Sequence, residues 1–294
     1  MRGRRVLITG AGRDGGLGQA FALAAGLGGA ASVGVHFHRS FEDGFDLVEV
    51  LRREGVKAFP VQADVNNLGD LWAIRSYVIE QMDGAPPDLL ICNSGLTEAG
   101  YSFGRALRER EDESLAMRRA RVRQHFLDNL RESRLVLDTK IDGFLASTHL
   151  WAGEAIHNKS PLRIVYMSSR QAIDPGRSVP GYAISNWAVL KLPEVLRVNL
   201  GRHGENITAC CLLFPFVRTS MTDEYAENEA VYGRWQPRML EPWEAARSVL
   251  ELLAQSDEAL DQGLFQLSVS GTAEAASTAW ERVTLSASLS PNPF

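Results

Sequence analysis

The chain has very little lysine. Lys57, Lys140, Lys159 and Lys191 are all it contains in 294 residues. Chemistry that needs an ammonium group therefore has few donors to choose from. Cysteine is scarcer still. Cys92, Cys210 and Cys211 lie in apolar runs, without a disulfide framework or paired metal-ligand spacing. They read as buried thiols, which suits a reducing, cytoplasmic setting. No apolar window approaches the ~18 residues that suggest a membrane span. The start, "MRGRRVLITG", turns polar at Thr9-Gly10, too early for a signal-peptide core, and reads as a strand. A formal net charge of −5 argues against a nucleic-acid partner.

What is present is an ordinary core-forming composition, 45% hydrophobic and 23% charged. Short apolar runs ("RRVLIT", "ASVGVHF", "KAFPVQAD", "PDLLICN", "LRIVYMS", "ITACCLLF", "LFQLSV") alternate with helix-like stretches. Continuous rather than alternating apolar runs predict a parallel sheet covered on both faces. One α/β domain over residues 1–294 is the economical expectation. Two regions break the rhythm. Residues 99–135 are long and charged, and are expected to be a solvated helix, a lid or a docking surface. Residues 214–240 lack periodicity and follow a late strand, where ligands of such sheets bind.

The stretch "VLITGAGRDGGLGQAFA" joins the first strand to the first helix. Gly10, Gly12, Gly16 and Gly18, with Arg13 and Leu17 between them, suit a turn whose backbone can approach a pyrophosphate at a helix N-terminus. This predicts a doubly wound Rossmann-type sheet that holds a dinucleotide. After the second strand comes "VHFHRS", with no carboxylate at the strand end. Arg39, flanked by His38 and Ser40, suits a 2′-phosphate, so NADPH is expected over NADH. His36 and His38 have no third ligand nearby and read as structural, with no metal expected.

These pieces resemble the short-chain dehydrogenase/reductase family over nearly the whole chain. "TGAGRDGGLG" is similar to its glycine loop with about two extra residues, Arg13 and Asp14. Asp64-Val65 resembles its adenine-reading pair, and Asn93 and Gly95 stand in its N-N-A-G motif. Ser169 precedes Tyr182 by 13 residues (182 − 169), the family's interval. "FPFVRT" resembles the segment that holds the nicotinamide end, with Thr219 kept. The family's lysine four residues after the tyrosine is here Asn186, and its helix asparagine is here Lys140. That exchange resembles the ketoreductase domains of modular polyketide synthases. "KIDG" at Lys140 and "YAISN" at Tyr182 carry the likeness.

The resemblance implies a ketone reduction. Ser169 would hold the carbonyl oxygen, Tyr182 would donate a proton, Lys140 would lower the phenol's pKa, and Asn186 would position water or the lysine. Helix geometry agrees. Asn186 shares a face with Tyr182, whereas Lys191 lies about 180° round the helix. The resemblance further implies a small ketone substrate, free or bound to a carrier protein or CoA, and a homo-oligomer, dimer or tetramer. Three alternatives stay open. One is a non-catalytic NADP-binding regulator. Another is an epimerase or dehydratase on nucleotide sugars. The third is another carbonyl substrate, because "VHFHRS" also resembles strand ends of pteridine reductases.

Overall fold

The structure, a computed structural model, describes residues 1–98, 108, 110–176, 179–223, 239–270 and 277–285. Each apolar run becomes a strand because both of its faces can be buried. Seven strands run parallel: β1 (Arg5–Ile8), β2 (Ser32–Phe37), β3 (Ala58–Gln62), β4 (Leu89–Cys92), β5 (Leu162–Ser169), β6 (Ile207–Phe214) and β7 (Gly263–Ser270). The sheet order is β3-β2-β1-β4-β5-β6-β7-β8, so the chain reverses direction across the sheet between β1 and β4. That reversal opens a crevice at the carboxyl ends of the strands. The eighth strand, β8 (Ser277–Val283), pairs antiparallel with β7 and was not expected from sequence. Its residues alternate between exposed and half-buried, so it carries no apolar run to betray it.

Helices cover both faces. On one side lie α1 (Leu17–Leu27), α2 (Phe41–Arg53) and the later α9 (Pro242–Leu252). Their apolar residues pack with Val6, Ile8, Cys210 and Leu212. On the other side lie α3 (Leu68–Gln81) and α5 (Gly143–His157), whose apolar residues pack with Leu7, Cys92, Tyr166 and Cys211, and α4 (Leu115–Leu137), of which only Val136 is buried. Neighbouring residues thus enter opposite layers, as the two-residue period of a strand requires. Helix α4 joins α5 through a single π-helical turn, Asp138–Asp142. Such a turn widens the helix locally and re-aims the side chains it carries.

The stretch after Tyr182 is two helices rather than one, α6 (Pro180–Val189) and α7 (Leu192–Leu200). The break falls where Pro193 occupies the first turn of α7, its ring incompatible with a continued helix. Of the two irregular regions, residues 99–107 and 109 and residues 224–238 lie outside the described residues. The rest of the first is mostly α4, begun by Ser114, whose hydroxyl accepts from the Met117 N–H at 3.2 Å. After β6 come the short helices α8 (Ser220–Asp223) and, beyond α9, α10 (Asp257–Leu260). Among the described residues no helix is long and apolar enough to cross a membrane, and no cluster of His, Cys, Asp or Glu could hold a metal ion.

Trp151 is the largest fully buried side chain in the α5 layer. Trp151→Ala should cost about 3–5 kcal/mol of folding stability by leaving a cavity. A urea-denaturation midpoint shifted by less than 1 kcal/mol equivalent would contradict this packing.

Candidate active site

The crevice between β1 and β4 is closed by side-chain hydrogen bonds. The Thr9 hydroxyl accepts from the N–H groups of Asn93 (3.0 Å) and Ser94 (3.1 Å). The Asn93 amide donates to the carbonyls of Thr9 (3.2 Å) and Gly10 (3.0 Å). Gly10 has φ +66°, a left-handed conformation that favours glycine. Its N–H donates to Nδ1 of His36 at 3.2 Å. His36 is buried, and burial pulls its pKa down to about 4, so the ring is a neutral acceptor. Read from sequence only as structural, it pins the glycine loop to β2.

The loop fits a dinucleotide pyrophosphate. Gly16 caps α1 without any side-chain oxygen, which leaves the first amides of the helix, from Leu17 on, open to an anion. A Cβ on Gly18 would lie 2.4 Å from the Gly10 carbonyl and 2.6 Å from Asn93 Nδ2, so only glycine lets α1 approach this closely. Gly12 is packed just as tightly against Phe37. Arg13 reaches across the mouth, where its guanidinium donates to the Ser220 carbonyl at 3.3 Å and the Ser220 N–H donates to Gly15 O at 3.3 Å. The glycine loop and the segment after β6 therefore meet. Arg39 is exposed and makes no ion pair among the described residues, while Ser40 opens α2 with its hydroxyl unused for capping. His38 Nδ1 lies 3.8 Å from the Asp64 carboxylate. Val65 packs under α5, where a Cβ on Gly143 would meet it at 2.7 Å. Thr219 begins α8, its N–H donating to Thr222 Oγ1 at 2.8 Å.

The reacting groups gather at the ends of β5 and α6. Ser169 ends β5, and its oxygen accepts from the Gln171 N–H at 3.2 Å, which leaves its proton free to donate. Burial raises the pKa of the Tyr182 phenol, and hydrogen bonds with Ser169 and Asn186 oppose that rise. These three residues are together. Asn186 is fully buried, donates to the Tyr182 carbonyl at 2.8 Å, and its Oδ1 has no partner among the described residues. Ser168, one residue off the expected interval, bonds the Asn186 carbonyl at 2.9 Å and ties β5 to α6.

Lys140 lies in the π-helical turn and is buried, 5% exposed. Its ammonium stands 5.1 Å from the centre of the Phe144 ring and 3.7 Å from where a Cβ of Gly95 would be. Among the described residues no carboxylate pairs with it, and desolvation lowers its pKa to about 8. The effect expected on Tyr182 is not seen. The groups that hold the phenol down are Ser169 and Asn186, and the phenol is raised on balance. Lys191, by contrast, is exposed and paired with Glu194 at 2.8 Å. Lys57 and Lys159 precede β3 and β5, at the opposite ends of the strands from the crevice.

Sequence reading missed one group at the site. Glu98 is buried, and its carboxylate accepts from the N–H groups of Gly181 (2.5 Å) and Tyr182 (3.1 Å). A lone acid before an irregular stretch gave no signal of this.

A family model described as short chain dehydrogenase matches residues 4–230. The chain belongs to that family. No curated protein sequence matches it. Among solved structures it is similar to a gluconate 5-dehydrogenase from Burkholderia cenocepacia in complex with NADP and tartrate. That likeness has TM-score 0.68 and 20% identity, and covers 90% of this chain and 94% of the other. It is likewise similar to a 3-oxoacyl-[acyl-carrier protein] reductase with bound NAD from Brucella melitensis, with TM-score 0.68, 22% identity and coverage of 90% and 89%. At these identities the likeness shows the fold, a Rossmann-like sheet. Family membership makes this short chain dehydrogenase an oxidoreductase.

His36 yields a pH prediction for the fold that carries this site. Its unfolded value is 6.5 and its folded value about 4. Between those values the unfolded chain takes up a proton that the folded chain refuses. The folded state is fully favoured above pH 6.5 and loses on the order of 3 kcal/mol as pH falls toward 4. Urea denaturation across this window should show that slope in the wild type and a flatter one in His36→Gln. Equal slopes would remove the buried neutral imidazole from the account.

Proposed function

We propose that this protein is an NADPH-dependent ketoreductase whose lysine comes from the helix preceding β5 rather than from the tyrosine helix. The observation that carries the reading is the burial of Lys140 with no acid partner among the described residues. An unpaired ammonium in the interior is costly. A perturbed titratable group in a crevice is a functional-site candidate. The unpartnered Oδ1 of Asn186 is a buried acceptor on the tyrosine helix, and supports a role for Asn186 in holding water or the lysine.

The residues present fit the cofactor. Gly10, Gly12, Gly16, Leu17 and Gly18 would hold the pyrophosphate. His38, Arg39 and Ser40, with Arg13, would receive the 2′-phosphate end. Asp64 and Val65 would border the adenine. Asn93 and Gly95 would line the nicotinamide side, and Thr219 its carboxamide. When bound, the cofactor supplies the hydride. The protein's own part is aim and charge. Ser169 donates a hydrogen bond to the carbonyl oxygen of the ketone. Tyr182 donates the proton that the oxygen takes as it becomes an alcohol. Removing one such donor commonly costs on the order of 2.7–4 kcal/mol of transition-state stabilisation. Lys140 would supply positive charge to the cofactor's ribose hydroxyls.

The exchanged pair Lys140 and Asn186 favours a polyketide-like or β-ketoacyl-type ketone, and the likeness to a 3-oxoacyl-[acyl-carrier protein] reductase points the same way. Arg118, Arg119 and Arg123 on α4 would suit the phosphate of CoA or an acidic carrier protein. Phe126 and Leu130 on α4 and Ile184 and Trp187 on α6 are exposed apolar residues, which supports a homo-oligomer through these helices.

The test is NADPH oxidation with acetoacetyl-CoA. Lys140→Ala should lose about a hundredfold or more in kcat/KM, and Lys191→Ala should stay within about twofold. The reverse pattern would overturn the assignment. Because burial lowers the Lys140 pKa to about 8, kcat/KM for NADPH should fall above that pH as the ammonium is lost. The fall should be absent in Lys140→Met; a limb unchanged by that substitution would assign it elsewhere.

A further inference from the structure

The tyrosine helix α6 begins without a cap of its own. Val179 stands at its N-cap and offers no side-chain oxygen, and Pro180 has no N–H. The first amides that need acceptors are those of Gly181 and Tyr182. Both find the same carboxylate, Oε1 of Glu98 for Gly181 (2.5 Å) and Oε2 for Tyr182 (3.1 Å), across 83 and 84 residues of sequence. The Ser133 hydroxyl on α4 donates to Oε1 at 2.9 Å, so the carboxylate is itself held in place. Glu98 is 4% exposed. A carboxylate at a helix N-terminus is favoured by the helix dipole and by charge-assisted hydrogen bonds. Gly181 fits the same arrangement. A Cβ there would lie 2.6 Å from Glu98 Oε1 and 2.9 Å from the Ser133 carbonyl, so any larger residue would push the carboxylate or α4 away.

We propose that Glu98 is a positioning residue: it clamps the first turn of α6 and so fixes where the Tyr182 phenol stands relative to Ser169. The inference rests on the reading of Tyr182 as proton donor. The loop that carries Glu98 leaves β4 through Gly95, beside the Lys140 ammonium. One short segment therefore borders both the cation and the base of the tyrosine helix. A displaced first turn would move the phenol farther than proton transfer tolerates. A misplacement of about 1 Å can cost on the order of a hundredfold in rate.

Three variants test this: Glu98→Gln, Gly181→Ala and Tyr182→Phe. The probe is NADPH with acetoacetyl-CoA, together with hydrogen–deuterium exchange of the α6 amides. Glu98→Gln should speed exchange at Gly181 and Tyr182 and lower kcat by about tenfold or more, with KM for NADPH within about twofold. A merely structural role would lower thermal stability but leave kcat per NADPH-binding site unchanged, and that result would overturn the proposal. Gly181→Ala should reproduce the kcat loss while the carboxylate is kept, and it carries the test if Glu98→Gln fails to fold. Unchanged exchange at those two amides in both variants would also overturn it. Tyr182→Phe separates the two readings. If it is inactive while Glu98→Gln and Gly181→Ala turn over like the wild type, the positioning role alone fails. If Tyr182→Phe keeps full turnover, or the wild type shows none, the reductase reading fails, and amide exchange still judges the clamp.

Discussion

An ammonium group kept inside the protein without a carboxylate partner among the described residues is the constraint around which the rest of the site is arranged. Most buried charges are neutralised by a partner. Lys140 instead meets the Phe144 ring, the backbone at Gly95 and the thiols of Cys92 and Cys211. A cation–π contact offsets part of the lost hydration. The thiols supply nothing, because burial raises their own pKa values and keeps them neutral. What remains is a cation whose pKa has dropped toward neutrality. Such a group is poised to regain its proton when anionic or hydroxyl-rich chemistry arrives beside it.

The π-helical turn is what makes that placement possible. In a regular helix Lys140 would follow the rotation of α4 and α5. It lies instead in one wider turn, Asp138–Asp142, with its ammonium beside Gly95 just past β4. The strands then bring the remaining groups to the same crevice. β1 and β4 are joined at Thr9 and Asn93, β5 delivers Ser169, and α6 delivers Tyr182 and Asn186. Ser168 and Glu98 fasten α6 at two points, one on the sheet and one on the loop after β4. The tyrosine helix is thus set by contacts that are distant in sequence.

Much of the fold could be read from local signals. The continuous apolar runs announce strands buried on both faces. The glycines after "VLIT" announce a helix start that anions can approach, and the tight approach at Gly18 gives the physical reason. Pro193 announces the break between α6 and α7. Other features leave no local trace. β8 has a polar, alternating sequence and exists because β7 offers it an edge. Glu98 acts over 83 residues, and the wide turn at Lys140 has no marker in "LDTKIDG". The serine–tyrosine interval led to a cluster that the fold brings together. The expected influence of Lys140 on the phenol did not emerge, because the phenol's neighbours are Ser169 and Asn186.

If Lys140 gives its charge to the cofactor end of the site, proton linkage measures this directly. Calorimetric titration of NADPH at pH 8.5, in two buffers of different ionisation enthalpy, counts the protons taken up on binding. A lysine with pKa about 8 is then mostly deprotonated in the free protein, so binding should draw in about 0.8 proton if it restores the ammonium. Lys140→Met should draw in none. Equal uptake by the two proteins, or uptake by neither, would contradict the account.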